Sequence, residues 1–182
     1  MTPPIKLALW ILLALAQLAV PAWMIRGEER VLRQGRQIKL QTRPVDPADL
    51  FRGRYVALGF AVEQVPRELV RGQFQHNDDA YLELREGSNG LVETVALHKD
   101  KPEGELVLKA TVNFITPDTI GVELPFNRFY MDENDAPHAE AAFRERADEE
   151  GTWVTVRVLN GRGVIEELYV GGKPVREFMR AH

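Results

Sequence analysis

Cysteine is absent from this chain, and serine is nearly so. Without cysteine there is no disulfide, no Cys-based zinc site, no iron–sulfur ligation and no thiol nucleophile. The single serine, Ser88, sits in Glu86-Gly87-Ser88-Asn89-Gly90, which reads as a turn and is a poor place to position a nucleophile. A serine–lysine membrane peptidase needs a serine just past its anchor, and none is there. Gly171-Gly172-Lys173 lacks the upstream glycine and the following hydroxyl of a phosphate-binding loop. Excess positive charge is missing too: the net charge is −4, which argues against nucleic-acid binding driven by phosphate contacts. No Gly/Ser-rich linker and no internal repeat interrupts the chain. What is present, 45% apolar and 27% charged residues in 182, supports one packed domain with an appendage.

The appendage is N-terminal. Leu7 to Ile25, LALWILLALAQLAVPAWMI, contains no ionisable side chain. As a helix it rises roughly 28 Å, close to the hydrocarbon thickness of a bilayer. Trp10 and Trp23 lie near its ends, where indole rings favour the lipid–water boundary. Gln17 and Pro21 interrupt the apolar run, and spanning helices tolerate both. A cleaved signal peptide is the rival reading, with Ala14-Leu15-Ala16 or Val20-Pro21-Ala22 as the processing site. The run is longer than a signal core, and Trp23-Met24-Ile25 continue it, so an uncleaved anchor is expected rather than cleavage or a buried soluble helix. Glu28 to Gln34 extend the helix as a polar stretch, and Gly35 stops it. Residues 1–35 are therefore the anchor and its extension, and 36–182 one extramembrane unit. Lys6 flanks one side, whereas Arg26, Arg30, Arg33, Arg36 and Lys39 flank the other. That count alone puts the large unit in the cytoplasm.

Beyond Gly35 the pattern is mostly of period two. Gln37 to Thr42 alternates, so one face is buried. Tyr55 to Val65 reads as a central strand with Val56, Leu58, Phe60 and Val62 on one face. Ala80–Arg85 and Leu91–His98 form a hairpin about the Gly87–Gly90 turn. Leu106–Ile115 is a strand with Leu106, Leu108, Ala110, Val112 and Phe114 inward. Ile120–Leu124 and Arg128–Met131 follow around Pro125. Asp135 caps a helix to about Asp148, with Pro137 in its first turn. Trp153–Leu159 and Val164–Val170 make a second hairpin across Asn160–Gly163, and Lys173–Phe178 is a last short segment. The expected class is mainly β: a transmembrane helix, then an antiparallel β-rich domain with one clear helix of its own.

The stretch from Asp46 to Phe60, DPADLFRGRYVALGF, resembles the signature of the GDYXXLXY family of bacterial membrane-anchored proteins. Gly53, Tyr55 and Leu58 match. Arg54 stands where the family has an acid, and Phe60 where it has a tyrosine. Asp46, Asp49 and Arg52 upstream are similar to the family as well. A second block, Leu124 to Glu133 and then Glu140, is similar to the family's Arg-Phe/Tyr-x-x-x-Glu segment. A third, Gly163 to Gly172, is similar to its last hairpin. The resemblance implies an anchored extracytoplasmic domain with no established activity. On the side of the membrane it opposes the arginine count, and it is given more weight.

Each motif has a structural and a functional reading. Asp46, Asp49 and Gly53 suit a tight turn into a strand, with Tyr55 and Phe60 burying their rings. A small binding surface built on Arg52, Arg54 and Tyr55 is the functional alternative. Arg128, Tyr130, Glu133 and Glu140 suit an Arg–Glu pair pinning the helix, or a site for an anionic group. His76-Asn77-Asp78-Asp79 tempts a Ca²⁺ argument but lacks the glycine and spaced acids of such a loop, and reads as a polar connection. Glu166-Glu167 reads as a solvated charged face. No catalytic residue, metal or cofactor is expected. The expected role is a non-enzymatic accessory or assembly protein in the bacterial inner membrane. Its domain is periplasmic, and its partners are the lipid bilayer and a multi-pass membrane protein of the same system. A small-ligand or glycan-binding domain, with a pocket of Tyr55, Tyr130 and arginines, is the alternative. A carboxylate-based membrane hydrolase ranks behind it.

Overall fold

The computed structural model describes residues 3–43, 55–130 and 152–180. A long helix α1 (Pro3–Gln34) leads into β1 (Arg36–Arg43). The helix is long and apolar enough to cross a membrane. Every side chain described from Ile5 to Arg26 is exposed, so this part packs against none of the other described elements. The last turns behave differently. Val31 is 3% exposed, and the polar extension lies on the strands β11 (Trp153–Leu159) and β12 (Arg162–Val170). Gly35 ends α1 for want of space rather than by left-handed backbone. A Cβ there would stand 2.5 Å from the Val31 carbonyl oxygen and 3.0 Å from the Val158 amide nitrogen. The Gly35 N–H donates to the same Val31 carbonyl at 2.8 Å.

Two large sheets enclose one core. The first has the order β13-β12-β11-β1-β3, where β3 is Gly59–Phe60 and β13 is Lys173–Pro174. The second has the order β4-β9-β8-β6-β7-β5. Its strands are β4 (Gln64–Pro66), β5 (Val70–Arg71), β6 (Asp79–Glu86), β7 (Val92–His98), β8 (Val107–Ile115) and β9 (Thr119–Glu123). Pairing is antiparallel except between β5 and β7. The inward residues follow period two. Ile38, Leu40, Val154, Val156 and Leu168 from one sheet meet Leu82, Leu97, Leu108, Val112 and Val122 from the other in a single buried cluster. A separate pair, β2 (Tyr55–Ala57) and β10 (Arg128–Tyr130), completes the strands among the described residues. The expected mainly β class, mostly antiparallel, is what the structure shows. The two hairpins form as expected, the second with a tighter turn: Asn160 (φ 54) and Gly161 (φ 89) alone connect β11 to β12.

Three expectations need correction. Tyr55–Val65 is not one strand. Residues 55–57 pair with β10, 59–60 with β1, 61–63 make a 3₁₀ turn, and 64–66 pair with β9. Leu58, Phe60 and Val62 are all buried as expected, but Glu63 and Val65 are buried too, because the segment changes partner at each step. Phe114 is 39% exposed, because a bulge at Asn113 breaks the alternation of β8, and its ring instead covers Gly121. Glu166 is not simply solvated: it is the extra residue of a β12 bulge and accepts from Arg157 and Gln37. Beyond β13 the chain forms a short helix α2 (Val175–Arg180), anchored by fully buried Val175. The helix expected over 135–148 lies outside the described residues.

Candidate functional site

The partner-switching segment joins the three sheets, and a buried carboxylate holds the joint. Glu63 is 5% exposed. One of its oxygens accepts the Phe60 N–H at 2.9 Å, the other the Leu124 N–H at 3.1 Å, and the Arg43 guanidinium lies 3.8 Å away. Burial pushes the Glu63 carboxyl above the usual carboxylate range, against the two N–H donors and Arg43. Phe60 and Leu124 are 64 positions apart in sequence, so this one side chain ties the end of β9 to the β3 turn. Sequence reasoning missed it. The available signal was that Glu63 is the only charged residue between Tyr55 and Val65.

Around this joint the three sequence blocks meet. Tyr55 stands opposite Tyr130 in the β2–β10 register, and the Leu58 N–H donates to the Asn127 carbonyl at 2.9 Å. Phe126 packs at 5.8 Å from Phe60, ring centroid to ring centroid, tilted by 53°. The same Phe126 ring lies over Gly163 of β12, where a Cβ would come within 2.2 Å of it. Glycine at 163 is therefore what lets the second and third blocks touch.

Of the residues singled out from sequence, Leu58 and Phe60 are core, while Arg128 and Tyr130 are exposed on β10. Asp46, Asp49, Arg52, Gly53, Arg54, Glu133 and Glu140 lie outside the described residues, as does the expected burial of the Tyr55 ring. The His76–Asp79 connection is tied by lysines. Asp78 contacts Lys99 at 2.5 Å and Asp79 contacts Lys109 at 2.7 Å. The Lys99 bond holds the Asp78 carboxyl below its usual range, and the Asp79 bond holds the Lys109 amine above its own. No group of three metal-ligating side chains occurs among the described residues.

An open groove of about 1180 Å³ runs beside the joint. Its floor is Gly161–Glu167 of β12 and its turn, and one wall is Glu123–Tyr130. Glu28 of α1 borders one end, and Lys109 and Arg176 contribute cations. The acids of the groove have partners. Glu28 is paired with Arg162, and Glu123 accepts from Asn127 at 2.8 Å. Glu166 accepts from Arg157 and Gln37, and the Arg157 bond holds its carboxyl below the usual range. Glu167 accepts the Leu168 N–H at 3.1 Å. Glu63, whose carboxyl is raised, faces two backbone donors.

The fold and this joint define a β-rich domain docked on a long apolar helix. A family model described as GDYXXLXY protein matches residues 17–168, and the chain belongs to that family. No curated protein and no solved structure matches it.

Proposed function

We propose that the chain is a single-pass protein of the bacterial inner membrane. In this reading α1 is an uncleaved anchor, the β-rich domain is periplasmic, and the protein is a non-enzymatic accessory or assembly subunit of a multi-pass membrane protein. The observation that carries this is the division of α1. Its apolar part is bare, while its polar turns dock on β11 and β12, so anchor and domain move as one piece. Gln17 and Pro21 on the bare part suit helix–helix contact in the bilayer. Anchoring raises the local concentration of the domain at such a partner. The test is affinity purification of the full chain from native membranes in mild detergent, against a version lacking residues 1–25. A stoichiometric multi-pass partner, lost with the anchor, is the expected result. Recovery of the protein alone would sink the subunit reading.

A second reading, a ligand-binding domain on the envelope, is favoured by the groove. It is lined by Tyr130, Arg128, Arg162 and Arg176, while the ring of Tyr55, the other aromatic of the expected pocket, lies outside the described residues.

A further inference from the structure

The floor of the groove is a sheet edge left open. β12 pairs with β11 from Arg162 to Tyr169, but on its other side β13 covers only Tyr169 and Val170. The two-residue turn at Asn160-Gly161 makes Leu159 and Arg162 a hydrogen-bonded pair. By antiparallel alternation the backbone N–H and C=O groups of Gly163 and Ile165 then point away from β11. Among the described residues nothing bonds to them. The edge is closed on either side of this stretch. The Gly161 carbonyl accepts the Lys109 N–H at 2.9 Å, and the Leu168 N–H donates to the Glu167 carboxylate at 3.1 Å. Gly163 and Ile165 are half-buried, and polar backbone in such a place calls for a partner. Charge does not choose that partner, because Glu28, Glu166 and Lys109 are each paired and Glu167 is held by backbone. Phe126 and Ile165 supply apolar surface. The open stretch starts beside the Glu28–Arg162 pair, three residues and about 4.5 Å beyond Ile25, and runs roughly 17 Å along β12 towards β13.

We propose that β12 takes an extended, uncharged peptide segment of a membrane-bound partner as an added strand, seated in the groove. The inference rests on the subunit reading and names the contact that holds the partner. An added strand supplies the backbone donors and acceptors that Gly163 and Ile165 lack. Its side chains alternate, one set lying against Phe126 and Ile165 and the other facing outward beside Arg162. A segment that leaves the bilayer next to α1 meets the open stretch at its Glu28 end, which favours a membrane-bound partner over a soluble one. The bulge at Glu166 breaks the register that two copies of this edge would need to pair with each other.

The test cross-links the full chain in native membranes, with photoreactive p-benzoylphenylalanine in place of Tyr130 on the groove wall. The expected product joins it to a segment of the multi-pass partner outside its membrane spans, mapped by mass spectrometry. Ile165→Pro removes one outward N–H and no bond to β11, and lowers the yield roughly tenfold. Ile165→Ala takes away most of the side chain but keeps the N–H, and holds the yield within about twofold. Hydrogen exchange in mild detergent is the second arm, and it alone decides if Ile165→Pro does not fold. Peptides covering 161–167 exchange fast in the chain alone and slowly in its complex with the partner. Slow exchange in the chain alone means that the edge is already paired, and overturns the proposal. So does a product with lipid, with a spanning helix or with a second copy of this chain, or an equal loss of yield in both variants. A partner that co-purifies without cross-linking to the groove or protecting 161–167 overturns the added strand and leaves the subunit reading standing. Absence of any partner overturns both.

Discussion

The two ends of α1 make the same secondary structure for different reasons. The N-terminal part presents Leu, Ile and Trp side chains to its surroundings on all sides, with Trp10 68% and Trp23 80% exposed. The C-terminal part is rich in Arg and Glu, yet it buries Val31 against the β11–β12 hairpin and fits Gly35 against β11. Hydrophobic residues are thus where the protein supplies no cover, and charged ones where it does. Burial inside the protein is therefore a poor guide to the role of the first part. The first part is long and apolar enough to cross a membrane, and the second part is where the domain docks.

Substitutions can break or sharpen this contrast. The largest effect belongs to the core. Phe60→Ala should destabilise the domain by about 3–5 kcal/mol in chemical denaturation. Leu15→Ala, on the bare part of α1, should leave the same transition within about 0.5 kcal/mol. A comparable loss at Leu15 would mean that the bare part is covered by the domain after all.

Next comes the joint. Glu63→Ala strands two buried N–H donors and should cost about 2–4 kcal/mol. Glu63 also imposes a pH dependence of known sign. Its folded carboxyl is raised, so the folded state holds the proton more tightly than the unfolded chain. Stability from this group is present at low pH and declines as pH rises from the ordinary carboxylate range through the folded pKa. Unfolding free energy followed from pH 4 upward should fall more steeply in the wild type than in Glu63→Gln. Parallel curves would remove Glu63 from the account. Asp78 and Glu166 are lowered, and their contributions run the other way, being lost as pH falls below the ordinary carboxylate range.

The docked end of α1 follows. Val31→Ala should cost about 1–2 kcal/mol and loosen hydrogen exchange in residues 27–34 before any change in the core. The smallest effect is at the Glu28–Arg162 pair. Its side chains are 48% and 60% exposed, and a double-mutant cycle should return less than about 1 kcal/mol of coupling. A larger value would show that the pair is shielded from water.

Most of the strands were legible because their signals are local. Alternation in Gln37–Thr42 and Leu106–Val112 needs no knowledge of the rest of the chain, and Asn160-Gly161 encodes its own turn. The failures share a cause. Leu58, Phe60 and Val62 face inward as in a strand, yet Tyr55–Pro66 hands off between β10, β1 and β9, and no local pattern records a change of partner. The bulges that expose Phe114 and turn Glu166 toward Arg157 are likewise set by the neighbouring strand. Five of the twelve residues singled out from sequence, Tyr55, Leu58, Phe60, Arg128 and Tyr130, stand in or beside the joint. Their sequence did not reveal Glu63 as its buried tie, or the groove beside it.

By itself, then, the sequence determined the long apolar helix, the β-rich class, the main turns and the absence of cysteine chemistry, since each depends on composition or on neighbours within a few residues. Only the tertiary structure decided which strands meet at Tyr55–Pro66, what Glu63 holds and where Arg162 and Arg176 stand. These depend on contacts such as Glu63 to Leu124 and Glu28 to Arg162, which join residues 61 and 134 positions apart, where no local preference reaches.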